Sequence, residues 1–188
     1  GFYNKKNDFF KKLKNQEFDL LYFVGSDNLD FIKKNEFIIY QGSHGDRIAQ
    51  IADIILPSPA FTEQNGTFLN LEGRLQKSVK CNYPPGEAKE DWKIFNLISK
   101  KLNNQPLFKN FKDLRNDTLS KINDHTDFDI LPKVKIKKSS VDPGSFTKET
   151  ILIKEIDYYF SNSIARASKT MSDCRTVRSK SLKIKTGT

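Results

Sequence analysis

Three short and almost continuous apolar runs constrain the fold of this chain more than any other feature. They occupy residues 19–25, 37–40 and 53–56, and each leads into a turn or loop that contains glycine or proline. Runs of this kind are typical of parallel strands buried on both faces, because half-exposed strands alternate polar and apolar residues. With helical segments between them, they predict right-handed crossovers and a Rossmann-like α/β layer with a parallel sheet.

Such a sheet brings its functional loops together at the carboxyl ends of its strands. Here those loops are residues 25–27, 42–46 and 57–59. The second holds His44 close to Asp46, a pair suited to general-base catalysis. No nucleophile constellation built on Ser or Cys accompanies it, so we expect Gly42 and Gly45 to serve a tight strand-to-helix turn with His44 hydrogen-bonded in place. Asp53 should accept hydrogen bonds from loop backbone N–H groups.

The rest of the chain predicts helices followed by a tail. Residues 87–102, after the break at 84–86, predict a helix with Trp92 in the core and an apolar stripe of Trp92, Phe95, Ile98 and Leu102. Helices are also predicted at 5–14, 111–122 and 163–176, with a short helix that ends at Ala52. Residues 67–76 predict extended segments with a turn at 72–73, and residues 150–160 predict a strand or extended segment. A basic linker is predicted at 132–143. These patterns divide the chain into an α/β domain, residues 1–125, and a linker with a C-terminal docking tail, residues 126–188.

The positive charge is spread along the chain rather than gathered for a nucleic acid. The net charge of +9 comes mostly from lysine, whereas nucleic-acid binders cluster arginine and aromatic residues. A basic nucleic-acid-binding module is therefore an alternative, not the favoured function. The basic run at 175–185 predicts solvated disorder or contact with an acidic neighbouring subunit. No stretch approaches the roughly 18 consecutive apolar residues of a membrane-spanning helix, so we expect no membrane span.

Sulfur and imidazole ligands are scarce. The sequence has two cysteines, Cys81 and Cys174, and two histidines, His44 and His125, all far apart. A cubane iron–sulfur cluster needs about four thiolates, and structural zinc needs about four Cys or His ligands. We therefore expect no complete cluster in this chain, and we predict no catalytic, cofactor-binding or metal-binding residue. Two free thiols are favoured over a disulfide.

Several segments resemble a known family. They are Ile-Tyr-Gln-Gly-Ser-His-Gly-Asp at 39–46, Ala-Asp-Ile-Ile-Leu-Pro at 52–57, residues 62–76, 84–88 and 90–94, and Ser-Ile-Ala-Arg-Ala-Ser-Lys-Thr-Met at 163–171 with Cys174. In order and spacing they resemble the large iron–sulfur subunit of respiratory complex I, the proton-translocating NADH:ubiquinone oxidoreductase. The resemblance is dense from about residue 37 to 100 and returns at 158–175.

The resemblance implies a remnant of the molybdopterin oxidoreductase fold, with an extended C-terminal tail, that has lost its cofactor. It implies a structural, non-catalytic role in the peripheral arm, which supports electron transfer from NADH to ubiquinone. The iron–sulfur clusters would lie on an N-terminal part outside this chain or on a partner chain. The implied partners are that cluster-bearing part and other peripheral-arm subunits. The implied place is the matrix side of the mitochondrial inner membrane or the cytoplasmic side of a bacterial one.

One polar cluster matches the part of this fold that lies near the pterin cofactor in molybdenum enzymes. Its members are Glu63, Gly66, Thr67, Asn70, Glu72, Arg74 and Gln76. A buried polar network left from that ancestry is the favoured interpretation, because the sequence has no obvious Cys ligand for molybdenum. A fragment of a molybdopterin-dependent oxidoreductase is the alternative.

Overall fold

The computed structural model describes residues 9–27, 29, 32–122, 127–131 and 157–186. The helices are α1 (Phe9–Asn15), α2 (Arg47–Ile51), α3 (Asp91–Asn103), α4 (Phe111–Ser120), α5 (Ser163–Ala167) and α6 (Lys169–Thr186), with a 3-10 helix at Tyr158–Phe160. The strands are β1 (Leu20–Val24), β2 (Phe37–Gly42), β3 (Ile54–Pro57), β4 (Gly66–Leu69) and β5 (Leu75–Ser78).

The three predicted apolar runs form one parallel sheet in the order β1-β2-β3. Tyr22, Ile39 and Ile54 are register partners across it. The Rossmann-like parallel sheet predicted from the sequence is thereby confirmed. The strand bounds agree closely with the predicted runs because each run is bounded by residues that turn the chain, such as Gly25 with its positive φ of 63°.

The core lies on one face of this sheet. Leu21 and Phe23 of β1 and Ile38 and Tyr40 of β2 point to the same side, because alternate residues of a strand share a face. The helices α1 and α2 cover them with Leu13 and Ile48. Both helices therefore lie on the same side of the sheet.

The segment after β3 folds into an antiparallel hairpin of β4 and β5. Its turn is held by Asn70, whose side-chain oxygen accepts a hydrogen bond from the Arg74 backbone N–H at 2.8 Å. Gly73 has a φ of 84°, a conformation that favours glycine. The predicted turn at Glu72-Gly73 is confirmed.

Helix α3 begins at Asp91, so the predicted start at Glu87 is wrong. The Ala88 N–H donates to the Pro85 carbonyl at 3.1 Å, which closes a turn instead of a helix. Glu90 is extended, with φ −48° and ψ 137°. The prolines thus delay the helix by one turn.

The buried line of α3 also differs from the predicted stripe. Ile94 and Ser99 are its buried residues, and the predicted core residue Leu102 is exposed. Three other predicted members are only half-buried: Trp92, Phe95 and Ile98. The buried line is therefore displaced around the helix from the predicted stripe.

From residue 157 onward, most of the described residues of the tail are helical. Tyr158–Phe160 is a 3-10 helix, so the strand predicted there is wrong; Asp157 caps it by accepting from the Tyr159 N–H at 3.2 Å. The helix predicted at 163–176 breaks at Ser168, whose ψ is 122°. It then continues to Thr186. Of the two interpretations of the run at 175–185, solvated disorder is therefore wrong, and contact with an acidic neighbouring subunit stays a prediction. No Gly or Pro interrupts that span.

Some predictions fall outside the described residues. They concern the helix start at 5–8, the linker at 132–143, the extended segment at 150–156 and the domain boundary at 125–126. Among the helices that the structure describes, none combines the length and apolar character needed to cross a bilayer.

The core position Ile38 offers a test of this architecture. Ile38 is fully buried, and we expect Ile38→Ala to lower the free energy of unfolding by about 2–5 kcal/mol, since the lost methyl groups leave a cavity. Urea denaturation followed by circular dichroism measures the change. Ile32→Ala, at an exposed position, is the matched control. Equal stabilities of the two variants would contradict the assigned core.

Candidate functional site

The carboxyl end of β1 is closed by a buried carboxylate. Asp27 Oδ1 accepts from the Ile48 N–H at 2.7 Å and from the Ala49 N–H at 3.2 Å, and so holds the first turn of α2. Its second oxygen, Oδ2, is buried without a hydrogen-bond partner. Sequence reasoning placed Asp27 in a functional loop but missed this structural role.

The loop after β2 is held close to the sheet by two glycines. The Tyr40 hydroxyl donates to the His44 carbonyl at 2.7 Å, and a Cβ on Gly42 would collide with that hydroxyl. A Cβ on Gly45 would lie 2.7 Å from the Ala49 Cβ. The tight turn and the hydrogen-bonded His44 are confirmed, and the glycines are needed for close approach.

The pair of His44 and Asp46, the alternative considered for general-base catalysis, does not form. The His44 ring Nδ1 lies 3.0 Å from the Oγ of its neighbour Ser43. The Asp46 carboxylate instead accepts from Arg166 Nε at 2.6 Å. Asp46 therefore binds α5 through Arg166 and does not assist His44 as a general base.

The ion pair of Asp46 and Arg166 joins the tail to the sheet. Its partners are 120 residues apart in the sequence, and both side chains are partly shielded from solvent. Arg166 also donates from Nη1 to the Phe160 carbonyl at 3.5 Å. The C-terminal tail thus lies against the loop at the carboxyl end of β2, where an open α/β sheet usually binds its ligand.

A second ion pair organises the tail itself. Arg175 Nε donates to Asp157 Oδ2 at 2.6 Å, and the Arg175 guanidinium lies 4.6 Å from the centre of the Phe160 ring. Together with Asp46, Arg47 and Arg166, these residues line a cleft of about 370 Å³. Two arginines that line this cleft, Arg166 and Arg175, form ion pairs with carboxylates of this chain.

The surroundings of Tyr40 disfavour ionisation of its hydroxyl. Burial, and then the nearby carboxylate of Asp27, raise the pKa of Tyr40 to about 12. Arg166 opposes this effect, while Asp46 adds to it. The Tyr40 hydroxyl therefore stays protonated and donates its hydrogen bond across the range of physiological pH.

A second polar arrangement ties the sheet to α3. The side chain of Gln41 is fully buried; it accepts from the Tyr22 hydroxyl and donates to Asp91 Oδ1 at 2.6 Å. Gln64 donates to the other Asp91 oxygen at 3.0 Å. Burial first, and the charge of Asp91 second, raise the pKa of Tyr22. The signal for this arrangement was a glutamine continuing an apolar strand, and sequence reasoning missed it.

An apolar cavity of about 450 Å³ lies between the hairpin, α3 and α4. Its walls include Phe68, Trp92, Phe95, Phe108, Phe111 and Leu114. Trp92 satisfies its indole N–H by donating to Glu90 Oε2 at 2.7 Å. Trp92 thus lies at the wall of a cavity.

The seven residues matched to the cofactor region do not form one buried network, so that interpretation is wrong. Glu63 accepts from the Ala60 N–H at 2.9 Å, and Gln76 donates to Asp129 at 3.3 Å on the surface. The register places Thr67 and Gln76 on opposite faces of the hairpin. The exposed members are Asn70, Glu72 and Gln76.

Asp53 has the predicted kind of role. Its Oδ2 accepts from the Ile38 backbone N–H at 2.7 Å, although this donor belongs to β2 rather than to a loop. Its Oδ1 accepts from Lys33 Nζ at 2.6 Å. The hydrogen bond from Lys33, followed by that from Ile38, lowers the pKa of Asp53.

The thiols lie apart and at the surface. Cys81 and Cys174 are both free and exposed. Within the described part of the chain, no three His, Cys, Asp or Glu side chains are grouped to hold a metal ion.

Two family models match this chain. The molybdopterin oxidoreductase model matches residues 3–101, and the model for the C-terminal region of the NADH-ubiquinone oxidoreductase G subunit matches residues 130–174. Similar proteins include the NADH-ubiquinone oxidoreductase 75 kDa subunit of Reclinomonas americana, 34% identical over 89% of this chain and 25% of that protein. The NADH-quinone oxidoreductase G subunit of Rickettsia felis is 38% identical over 86% of this chain and 24% of that protein.

A fungal relative extends the comparison. The mitochondrial NADH-ubiquinone oxidoreductase 78 kDa subunit of Neurospora crassa is 37% identical over 76% of this chain and 20% of that protein. The chain thus spans about a quarter or less of the length of these relatives.

The raised pKa of Tyr40 predicts a pH dependence. Tyrosine in the unfolded chain loses its proton near pH 10.0, whereas folded Tyr40 keeps it to about 12. The folded state therefore has its full stability below the lower value and loses it as the pH rises through the higher one. In this window the unfolding free energy of the native chain should fall more steeply than that of Tyr40→Phe, by up to about 1.4 kcal/mol per pH unit.

Urea denaturation across that pH window measures the two slopes. Tyr158→Phe, at an exposed tyrosine, is the control and should keep the native slope. Identical slopes for Tyr40→Phe and the native chain would contradict the structural assignment.

Docking of the tail predicts a second, independent result. Arg166→Gln and Asp46→Asn should each speed tryptic cleavage after Lys169 by about tenfold, since losing about 1.4 kcal/mol raises the open population by that factor. The double variant should be cleaved no faster than either single variant. Lys121→Gln removes a cation from the exposed pair with Asp117 and should leave the rate unchanged. Additive effects in the double variant would show that the two side chains do not act together.

Proposed function

The chain belongs to the molybdopterin oxidoreductase family, and on that premise we propose that it is the C-terminal part of the large iron–sulfur subunit of a proton-translocating NADH:quinone oxidoreductase. The match of residues 130–174 to the C-terminal region of the G subunit supports this place in the protein. The relatives named as the 75 kDa subunit and as the G subunit support the same complex.

One observation carries the proposed structural role. The pair of Asp46 and Arg166 joins the segment matched by the first family model to the segment matched by the second. The tail therefore contacts the loop at the carboxyl end of β2, and this contact supports a structural role for the two segments together. In this role the chain contributes shape and stability to the peripheral arm.

The residues at this edge do not fit a molybdopterin, which carries an anionic phosphate. Backbone N–H groups of a helix N-terminus are the usual receptor for phosphate, but at α2 the carboxylate of Asp27 accepts from the N–H groups of Ile48 and Ala49. Arg166, which contacts this loop, is paired with Asp46. We therefore derive no chemistry through a pterin and assign this chain no catalytic residue.

The distribution of thiols supports the same role. An iron–sulfur cluster needs about four thiolates at one place, while Cys81 and Cys174 are both exposed and separate. In the proposed assembly, electrons from NADH pass to ubiquinone through clusters held on the remaining part of the large subunit. That part and other peripheral-arm subunits are the partners, on the matrix side of a mitochondrial inner membrane or the cytoplasmic side of a bacterial one.

Native gel separation of the source membranes, followed by mass spectrometry, tests the proposal. We expect peptides of this chain in the complex I band, at the same stoichiometry as the other peripheral-arm subunits. Metal analysis of that band should find iron without molybdenum. Absence of the polypeptide from the band would overturn the assignment, and stoichiometric molybdenum would favour the rival, a molybdopterin-dependent oxidoreductase.

A further inference from the structure

One face of the parallel sheet is apolar and largely uncovered. Leu20, Phe37, Ile39 and Ile54 share this face, because Leu20 pairs with Phe37 and Ile39 pairs with Ile54. Leu20 is 55% exposed, Phe37 44% and Ile54 42%. We call the surface formed by these four side chains the open face.

Among the described residues, the elements that pack on the sheet leave the open face free. Helices α1 and α2 both cover the opposite face, through Leu13 and Ile48. Helix α3 reaches only the carboxyl half of the sheet: the Phe95 ring lies 5.7 Å from the Tyr22 ring, and Asp91 binds Gln41. The amino half has no such cover among the described residues.

An uncovered face is unusual for a parallel sheet. Parallel strands occur almost only where helices cover both faces, since their side chains are apolar on both sides. The four side chains of the open face follow that composition, with two isoleucines, one leucine and one phenylalanine. The sheet is therefore built for a second covering layer.

We propose that the open face is the docking site of an amphipathic helix from the N-terminal part of the large subunit, the part that this chain does not span. This inference rests on the proposed function. The length of the relatives supports this occupant, because this chain accounts for about a quarter of each. The match at 130–174 supports a position at the C-terminal end of the subunit, and in that position the remaining three quarters of a relative's length lie on the N-terminal side.

The chemistry of the open face defines the kind of helix that fits it. The polar group nearest to it on β2, the Gln41 amide, is already bonded to Tyr22 and Asp91. The open face thus offers apolar contacts, and the Gln41 side chain has no free hydrogen-bonding group to add to them. The docking helix should present aliphatic or aromatic side chains at spacings of three and four residues.

Aspartate substitutions test the inference in the assembled complex. Phe37→Asp and Ile54→Asp should each reduce the amount of this chain recovered with the cluster-bearing part by about tenfold, because a carboxylate would be buried without a partner. Leu71→Asp is the matched control, since Leu71 is fully exposed on the hairpin turn, and its recovery should equal that of the native chain. Full recovery of both open-face variants would overturn the inference.

Cysteine labelling keeps the test valid if an aspartate variant fails to fold. In a background with Cys81→Ser and Cys174→Ser, Phe37→Cys should react with a maleimide in the free chain and be protected about tenfold in the complex. Leu71→Cys should react equally in both. Equal reactivity of Phe37→Cys in the complex and the free chain would overturn the inference.

Two other outcomes would also overturn it. Protection of Phe37→Cys in the free chain at all concentrations would mean that a segment of this chain covers the face. Protection that grows with the concentration of free chain would mean that a second copy does. Failure of the proposed function looks different, because then even the native chain is absent from the complex I band.

Discussion

The fold depends on the middle strand, β2, which is the strand that pairs on both sides in the three-stranded sheet. One of its faces supplies Ile38 and Tyr40 to the core, and the other supplies Gln41 to the contact with α3. Its carboxyl end leads into the loop that receives the tail through Asp46. A disturbance of β2 would therefore reach the core, α3 and the tail together.

The parallel sheet could be predicted from the sequence because its signal is local. Each apolar run is a few residues long. Gly25 marks the end of the first run, and Pro57 marks the end of the third. The contacts of the candidate site could not be predicted in this way. Gln41 meets Asp91 across 50 residues, and Asp46 meets a residue farther still along the chain. Polar partners of this kind are selected by the tertiary fold, and neither partner carries a local pattern that identifies the other.

The errors of prediction have related physical causes. The start of α3 was misplaced because Pro85 accepts a turn hydrogen bond that a helix pattern does not reveal. The polar cluster near the hairpin was treated as one network, yet strand alternation separates Thr67 from Gln76. The basic run at 175–185 was expected to be disordered or to contact an acidic neighbouring subunit, and it is helical. The helix that contains it begins after Ser168, whose side-chain oxygen accepts from the Met171 N–H at 3.4 Å.

The sequence separation between Arg166 and Asp46 also bears on the order of folding. Contacts between residues 120 positions apart form slowly, since the chain between them must first lose conformational freedom. The acceptor loop has its shape only after β2 has paired and Tyr40 has bonded the His44 carbonyl. Seating of α5 is therefore a late event, and a nascent chain with a misregistered sheet would keep its C-terminal segment accessible to quality-control proteases.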